Sequence, residues 1–303
     1  MGSSFTAETL KLRKRPATWI LALIWVVIIA FSYFSTYAFI ANAPPAGPPP
    51  AGPDGEEVPA EVQEQMQAEQ EAFDEALLES LYPENLVSNM MTGGVINIGS
   101  ALLLILGALV LGSEFGWGTF KTSLTQRPGR LGVLFGKLLA FVVALVVFVL
   151  LGFATAALCG FIIAQLEGAA VDWPSLTTLA KGLGVGTLIF AVWGAFGFAL
   201  ATLFRGTALA IGLGIAWVLA VENLIAGLAG PNSDNETLET IRKTLPGENS
   251  FSLAQSFGSP LPDDFTGGFQ PLVEAGQAVW VLAAYTAGFV LISALLFWRR
   301  DVV

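Results

Sequence analysis

Long apolar stretches recur along this chain, and polar segments of unequal length separate them. A membrane crossing needs about 20 predominantly apolar residues in a helix. Six stretches qualify, at residues 17–41, 94–112, 132–166, 176–204, 206–228 and 275–298. The first is also longer than the roughly 7–15 apolar residues of a signal peptide, so we expect it to be retained as a span. The pattern predicts an all-α integral membrane protein with a single transmembrane domain over residues 1–303.

The polar segments between the spans differ in length and character. Residues 42–93 and 229–274 are long, residues 113–131 are intermediate, and the other connections are short. In the first long segment, apolar residues recur at helical spacing and predict an amphipathic helix over about residues 59–81. This helix could pack on the mouth of the domain, or serve as a lid or a docking element for a partner. In the second, we expect a short helix over residues 237–245 that ends at Pro246.

The distribution of positive charge orients the chain in the membrane. No Lys or Arg lies between Arg15 and Lys121, whereas residues 54–84 hold eleven acidic residues. Short cytoplasmic loops of membrane proteins retain Lys and Arg. With both termini inside, the basic residues on the inner side are Lys11, Arg13, Lys14, Arg15, Lys121, Arg127, Arg130, Lys137, Arg205, Arg299 and Arg300, and those on the outer side are Lys181, Arg242 and Lys243. The predicted topology is therefore N-in and C-in, with residues 1–16 and 113–131 cytoplasmic and the two long segments extracellular.

Composition removes several classes of function. The chain is 54% hydrophobic and only 13% charged, against about 25% charged residues in soluble proteins. It has no His and a single Cys, Cys159, which excludes an internal disulfide, a His/Cys zinc site and His-based acid–base catalysis. The net charge of −10 comes mostly from the predicted outer segments and gives no indication of nucleic-acid binding. We predict no catalytic residues, no metal site and no nucleic-acid partner, with membrane lipids around the spans.

Glycine motifs in the chain favour helix packing over nucleotide binding. The nearest string to a phosphate-binding loop, Gly132 to Leu138, has three residues between its glycines instead of four and lacks the final Ser or Thr. Gly182 and Gly186 have GxxxG spacing in an apolar helix, which favours close approach of a neighbouring helix. ATP binding by this chain is therefore not expected.

Glu222 is an acid well inside an apolar run, and carboxylates within spans are functional candidates. It lies 16 residues after Gly206, so roughly 24 Å along a helix and near the outer interface. With Asn223 beside it, Glu222 could take part in transport or could be a hydrated residue of the outer mouth. Asn97 could form a hydrogen bond between helices.

The inner segment after the second span has the pattern of a short docking helix. Ser113 can cap a helix that carries Glu114 in its first turn, where a negative charge is favourable. Phe115, Trp117 and Phe120 can pack or dock, and Pro128 with Gly129 would end the helix. Such a helix could receive force from a soluble partner, or it could be an ordinary amphipathic helix at the membrane surface.

Three motifs, in the correct order along the chain, resemble the membrane subunit of type-2 ATP-binding-cassette (ABC) exporters. The inner segment carries an acid and an aromatic residue, then Gly-Thr, an aromatic and a basic residue, and Leu-Thr: Glu114, Phe115, Gly118, Thr119, Phe120, Lys121, Leu124 and Thr125. Residues 8–19 are similar to the interfacial elbow helix that opens the family, and residues 296–302 to its C terminus. The chain departs from the family in its long acidic outer insertion.

The resemblance implies a permease subunit of an ATP-driven exporter in a bacterial cytoplasmic membrane. Separate ATPase subunits would bind ATP and Mg²⁺ and dock beneath a homodimer or heterodimer of permeases, and residues 114–125 would couple the two parts. A hydrophobic or amphiphilic cargo, such as a drug, antibiotic or lipid-like molecule, is expected to pass the second and fifth spans. The candidate residues of this path are Asn97, Ile98, Leu102, Ile211, Ile215 and Glu222.

Two other classes of function stay open at this point. A secondary transporter or channel would need ionisable residues near the middle of the membrane, and the central thirds of the predicted spans hold none. A membrane anchor or signalling subunit that transports nothing would use the inner segment for docking without dependence on ATP.

Overall fold

The computed structural model of the chain describes residues 2–42, 59–92, 94–117, 130–228, 236–259, 261 and 271–299. Within these ranges the elements are helices joined by turns, and no strand occurs. The α-helices in chain order are α1 (Gly2–Lys14), α2 (Pro16–Ala41), α3 (Ala60–Ser80), α4 (Leu86–Thr92), α5 (Val95–Trp117), α6 (Arg130–Glu167), α7 (Leu176–Phe204), α8 (Thr207–Ala216), α9 (Asn223–Leu228), α10 (Glu236–Thr244), α11 (Pro246–Gln255) and α12 (Ala275–Arg299). A π-helical turn, Trp217–Glu222, joins α8 to α9.

Six segments of the described chain are long and apolar enough to cross a membrane. They are Pro16–Ala41, Val95–Glu114, Gly132–Glu167, Leu176–Phe204, Thr207–Leu228 and Ala275–Arg299. These segments coincide with the predicted spans, so the prediction of an all-α protein with six membrane-spanning helices is confirmed. Because the spans alternate in direction, α1 lies at one end of the bundle and α3, α4, α10 and α11 lie at the other. We call these ends inner and outer after the charge pattern; the orientation itself stays a prediction.

Helices α5 and α7 form the centre of the bundle and approach each other at glycines. A methyl group added to Gly107 would overlap the carbonyl oxygen of Gly194, and one added to Gly197 would overlap the carbonyl oxygen of Leu104. Only a residue without a Cβ permits two helix backbones to pack this closely. The contact between α5 and α7 therefore depends on Gly107 and Gly197.

The GxxxG pair identified in the sequence is also buried, but against side chains. A Cβ on Gly182 would lie 2.6 Å from a methyl carbon of Val87 in α4, and one on Gly186 would lie 3.3 Å from the terminal carbon of Met91. The predicted packing role of this pair is confirmed. The closest approach of two helix backbones, however, occurs elsewhere along α7.

The remaining spans surround this centre and expose apolar side chains where lipid is expected. α2 packs on α6, where Trp25 is fully buried and its Nε1 donates a hydrogen bond to the carbonyl oxygen of Phe148 at 3.1 Å. α12 packs on α7 and α11. On the opposite faces of α2 and α12, Phe31 and Trp280 are more than 70% exposed, as expected for residues that contact acyl chains.

The outer layer contains both expected and unexpected helices. α3 covers residues 60–80, close to the predicted helix over residues 59–81. α10 ends at Thr244, before Pro246 as predicted, but Pro246 does not begin a loop. It stands in the first turn of α11, where a missing backbone N–H costs nothing. The prediction of a short helix that ends before Pro246 is therefore confirmed, and α11 is a further helix that was not predicted.

We expect replacement of Ser175 by Ala to lower the free energy of unfolding by about 1 kcal/mol. Ser175 is the N-cap of α7, and its Oγ accepts a hydrogen bond from the Thr178 backbone N–H at 3.1 Å. Thermal unfolding of the purified protein in detergent measures the effect. Thr177→Ala, in the first turn of the same helix but outside the cap, is the matched control; an equal loss in both variants would contradict a capping role.

Candidate functional site: an inner charge cluster and an outer cavity

Four charged side chains from three helices meet at the inner end of the bundle. Lys11 Nζ lies 2.7 Å from Glu8 Oε1 and 2.8 Å from Glu114 Oε1. Lys137 Nζ lies 2.9 Å from Glu8 Oε2 and 2.6 Å from Glu114 Oε1. Each ammonium therefore contacts both carboxylates, and the charges alternate around a closed ring. We call Glu8, Lys11, Glu114 and Lys137 the inner charge cluster.

The inner charge cluster is neutral overall, and three of its four side chains are buried while Lys11 is partly exposed. The side chain of Lys137 is fully buried and that of Glu114 is 1% exposed. Partial burial lowers the pKa of Lys11, but the hydrogen bonds and charges of Glu114 and Glu8 outweigh it and leave that pKa above its ordinary value. Lys11 therefore stays charged at neutral pH. Since buried charges are tolerated only when they are paired, all four side chains are needed in place together.

Local sequence explains how α1 reaches the bundle. Glu8 and Lys11 are three residues apart in α1 and so lie on one face of that helix. This face packs on α6, where a Cβ on Gly136 would lie only 2.9 Å from the Cβ of Ser4. The close approach at Gly136 places the neighbouring Lys137 against Glu8.

The structure contradicts the expectation that Ser113 caps a new helix. α5 continues through this residue to Trp117, and Ser113 Oγ donates a hydrogen bond to the carbonyl oxygen of Leu109 at 2.8 Å. A Ser inside a helix can bond to the carbonyl four residues earlier as readily as it can cap a helix. Glu114 therefore belongs to the last turns of α5, where Lys11 and Lys137 compensate its charge.

Most of the predicted coupling segment lies outside the described residues. This applies to Gly118, Thr119, Phe120, Lys121, Leu124 and Thr125, which fall within residues 118–129. Phe115 is in the last turns of α5, and Glu114 belongs to the inner charge cluster. The described residues thus show the two ends of the segment, α5 and α6, joined to each other and to α1 through the cluster.

A cavity of about 350 Å³ lies at the outer side between α5, α7, the fifth span and the α10–α11 pair. Its polar lining residues are Asn97, Ser100, Glu222, Asn223, Arg242, Glu248 and Ser250, and its apolar and aromatic ones include Trp193, Val218, Leu219, Leu245 and Phe251. Since Trp193 lies slightly past the midpoint of α7, the cavity extends from the outer helices into the membrane-spanning region. We call it the outer cavity.

Glu222 lines the outer cavity at the end of the π-helical turn. Its Oε1 accepts a hydrogen bond from Trp217 Nε1 at 3.1 Å, and its carboxylate accepts another from the Gly247 backbone N–H. The Trp217 ring packs edge-on against Phe196, which in turn packs edge-on against Trp193. π-Helical turns are rare and frequently occur at functional sites. The turn therefore directs Glu222 to the cavity and away from lipid.

A second carboxylate faces the same cavity from the outer layer. Glu248 Oε2 accepts from Arg242 Nε at 2.8 Å, which links α10 to α11. The other oxygen of this carboxylate, Oε1, is buried and has no hydrogen-bond partner among the described residues. The cavity wall therefore holds two carboxylates and one guanidinium.

The predicted path residues separate into two groups. Asn97 and Glu222 both line the outer cavity, so the structure brings them together. Ile98 is 44% exposed and Leu102 is buried, and neither lines that cavity. Ile211 and Ile215 are half-buried on α8 and also lie away from it. A role of these four residues in cargo passage stays a prediction.

Sequence reasoning missed Glu8, Trp193, Arg242 and Glu248 as site residues. The spacing of Glu8 and Lys11 could have identified Glu8, because two charges on one face of a helix before an apolar span indicate contact with other charged side chains. Arg242 and Glu248 lie on two separate helices, and their pairing could not be seen along the chain. Within the described ranges, no group of three or more Cys, Asp or Glu side chains is placed to hold a metal ion.

Comparison with known protein families matches residues 4–302 to the ABC-2 family transporter proteins. No match was found among proteins with curated descriptions. The matched range includes nearly all of α1, the inner charge cluster and all six membrane-spanning segments. In this family the membrane protein works with an ABC ATPase. The chain therefore belongs to the ABC-2 transporter family, as a multi-pass permease subunit of an ABC transporter.

Proposed function

We propose that the chain is the permease of an exporter that carries a hydrophobic or amphiphilic compound out across the cytoplasmic membrane of a bacterium. Separate ATPase subunits bind ATP and Mg²⁺, and this chain carries out no covalent chemistry. Two permeases, identical or related, form a dimer above two ATPases. The inner charge cluster is the observation that carries the proposal, because it connects the coupling segment to the bundle.

The cluster supports coupling through its connections. Residues 118–129 run from α5 to α6, and the cluster joins the end of α5, the start of α6 and α1 by ion pairs. A force applied to this segment is therefore transmitted to three helices together. Because α5 packs along α7 at the centre of the bundle, displacement of its inner end also moves the core.

The fifth span supports the proposed dimer and cargo path. It has few buried residues within one chain, and its large apolar side chains are exposed at Leu209, Leu213, Leu219 and Leu224. Such a surface can contact a second permease, cargo or lipid. Export, as opposed to import, is supported by the resemblance of residues 114–125 to exporters.

Simultaneous replacement of Phe120 and Lys121 by Ala is expected to reduce the amount of copurified ATPase about tenfold, since aromatic and cationic side chains carry much of the energy of an interface. The measurement is affinity purification from gently solubilised native membranes, with mass spectrometry and ATP hydrolysis of the eluate. We avoid Glu114 in this test because its substitution would also break the inner charge cluster. A second permease in the eluate would distinguish a heterodimer from a homodimer.

The matched control replaces Trp173 and Lys181, an exposed aromatic residue and an exposed lysine of the predicted outer side, with Ala. This variant is expected to retain the ATPase. A folded wild-type protein that yields no ATPase in repeated purifications would refute the exporter proposal. Full retention of the ATPase by the Phe120/Lys121 variant would refute the assigned docking site.

A further inference from the structure

The outer cavity has the size and depth of a small-molecule site. Its volume of about 350 Å³ is within the usual range of ligand pockets, roughly 300–1,000 Å³. Its walls come from spans as well as from the outer helices, and Trp193 and Phe251 supply aromatic surface. A ligand in it would therefore be enclosed partly by apolar and partly by polar groups.

The wall of the outer cavity has more acidic than basic side chains. Among its lining residues Glu222 and Glu248 are acidic and Arg242 is basic, so acidic groups outnumber basic ones. Both carboxyl groups line the same cavity. A positive charge near them is favoured, because an opposite charge close by stabilises the ionised form of a carboxyl group.

One oxygen of the Glu248 carboxylate in this wall lacks a hydrogen-bond partner among the described residues. The Glu248 side chain is 8% exposed, and its Oε1 is buried without a hydrogen-bond partner while Oε2 is held by Arg242. Leaving a buried charged acceptor unsatisfied is costly. Glu222, in contrast, is held in place by Trp217 and Gly247, so that its carboxyl group is fixed at the wall.

Two aromatic side chains, Trp193 and Phe251, complete the lining of the site. Trp193 lines the cavity, and its ring is positioned by edge-on contact with Phe196 at a centroid distance of 6.3 Å. Cations are attracted to the faces of Trp and Phe rings, most strongly where water is excluded. A compact inorganic cation would not use this surface, whereas an organic cation with an apolar body would.

We propose that the outer cavity binds a monovalent organic cation with an aromatic or apolar body. Its positive charge lies between Glu222 and Glu248, and its body lies against Trp193 and Phe251. As an assignment of cargo, the site rests on the proposed function and narrows the cargo to cationic amphiphiles. Binding itself is a property of this chain and can be tested without the ATPase.

The test uses the purified full-length chain in nanodiscs of zwitterionic lipid, with ethidium as the fluorescent probe and 6-phenylphenanthridine as a neutral compound of similar shape. Ethidium is expected to bind saturably, with one site per chain, and at least about tenfold more tightly than the neutral compound, because the charge adds an ionic interaction. Empty nanodiscs correct for partition into lipid. Equal affinity for the two compounds would overturn the proposal.

Glu222→Gln keeps the shape of the side chain and is expected to weaken ethidium binding about tenfold. Glu239→Gln removes one negative charge from α10 outside the cavity and is expected to leave the affinity unchanged. Phe251→Leu, on the exposed side of the wall, is expected to weaken binding of ethidium severalfold. This variant replaces Glu222→Gln as the test of the site if the Glu222 variant does not fold. Wild-type affinity in the folded Glu222→Gln protein, or equal losses in the Glu222 and Glu239 variants, would overturn the site. None of these results depends on whether an ATPase copurifies, so the failure of one proposal is distinguishable from the failure of the other.

Discussion

Replacing Lys137 by Met is expected to destabilise the protein by about 3–5 kcal/mol, the cost typical of removing one partner from a buried ion pair. The Lys137 side chain has no exposed surface, and its ammonium contacts both Glu8 and Glu114. Met fills a similar volume, so loss of packing contributes little. The buried carboxylate of Glu114 then keeps only the partly exposed Lys11 as its basic partner in the cluster. Unfolding of the purified protein by heat or by denaturing detergent measures the loss.

The control for this prediction is Lys14→Met on α1, where the lysine is exposed. It removes the same charge from the same end of the protein and is expected to change stability by less than about 0.5 kcal/mol. The double variant Lys137→Met with Glu114→Gln restores neutrality and is expected to recover part of the loss. A Lys137→Met protein as stable as the Lys14 control would show that the cluster contributes no stability.

Replacing Gly197 by Ala is expected to destabilise the bundle by about 1–3 kcal/mol, the range for overpacking a well-packed core. The new methyl group would overlap the carbonyl oxygen of Leu104, which belongs to the backbone of α5 and cannot move aside as a side chain would. The helices must therefore separate along the contact between α5 and α7. Thermal unfolding in detergent reports this loss.

Gly184→Ala is the matched control, because Gly184 lies in the same helix and a Cβ there would meet no atom within 4 Å. Since Ala favours a helix over Gly by up to about 1 kcal/mol, this variant is expected to be as stable as the natural protein or more stable. The two substitutions thus differ in the sign of their effect. Equal effects of both substitutions would mean that helix propensity, and not contact between the backbones of α5 and α7, determines the change in stability.

The six spans and the family were accessible from sequence because both depend on local patterns. An apolar run of about 20 residues must form a helix in lipid whatever surrounds it, since every backbone polar group has to be satisfied within the segment. The helix bounds of α3 and of the spans therefore agree closely with those predicted. The end of α10 before Pro246 was predicted, but the start of α11 at Pro246 was not, because proline ends one helix and begins another by the same property, its missing N–H.

The tertiary structure alone decided which residues act together. Ser113 and Glu114 fit the start of a helix by local rules, but contacts of Glu114 with Lys11 and Lys137, distant along the chain, keep them in α5. Glu248 became a candidate only when α10, α11 and the fifth span enclosed a cavity with Glu222. Hydropathy is a property of each segment and can be read along the chain. Compensation of a buried charge and overlap of two backbones depend on atoms from different helices, so only the packed bundle determines them.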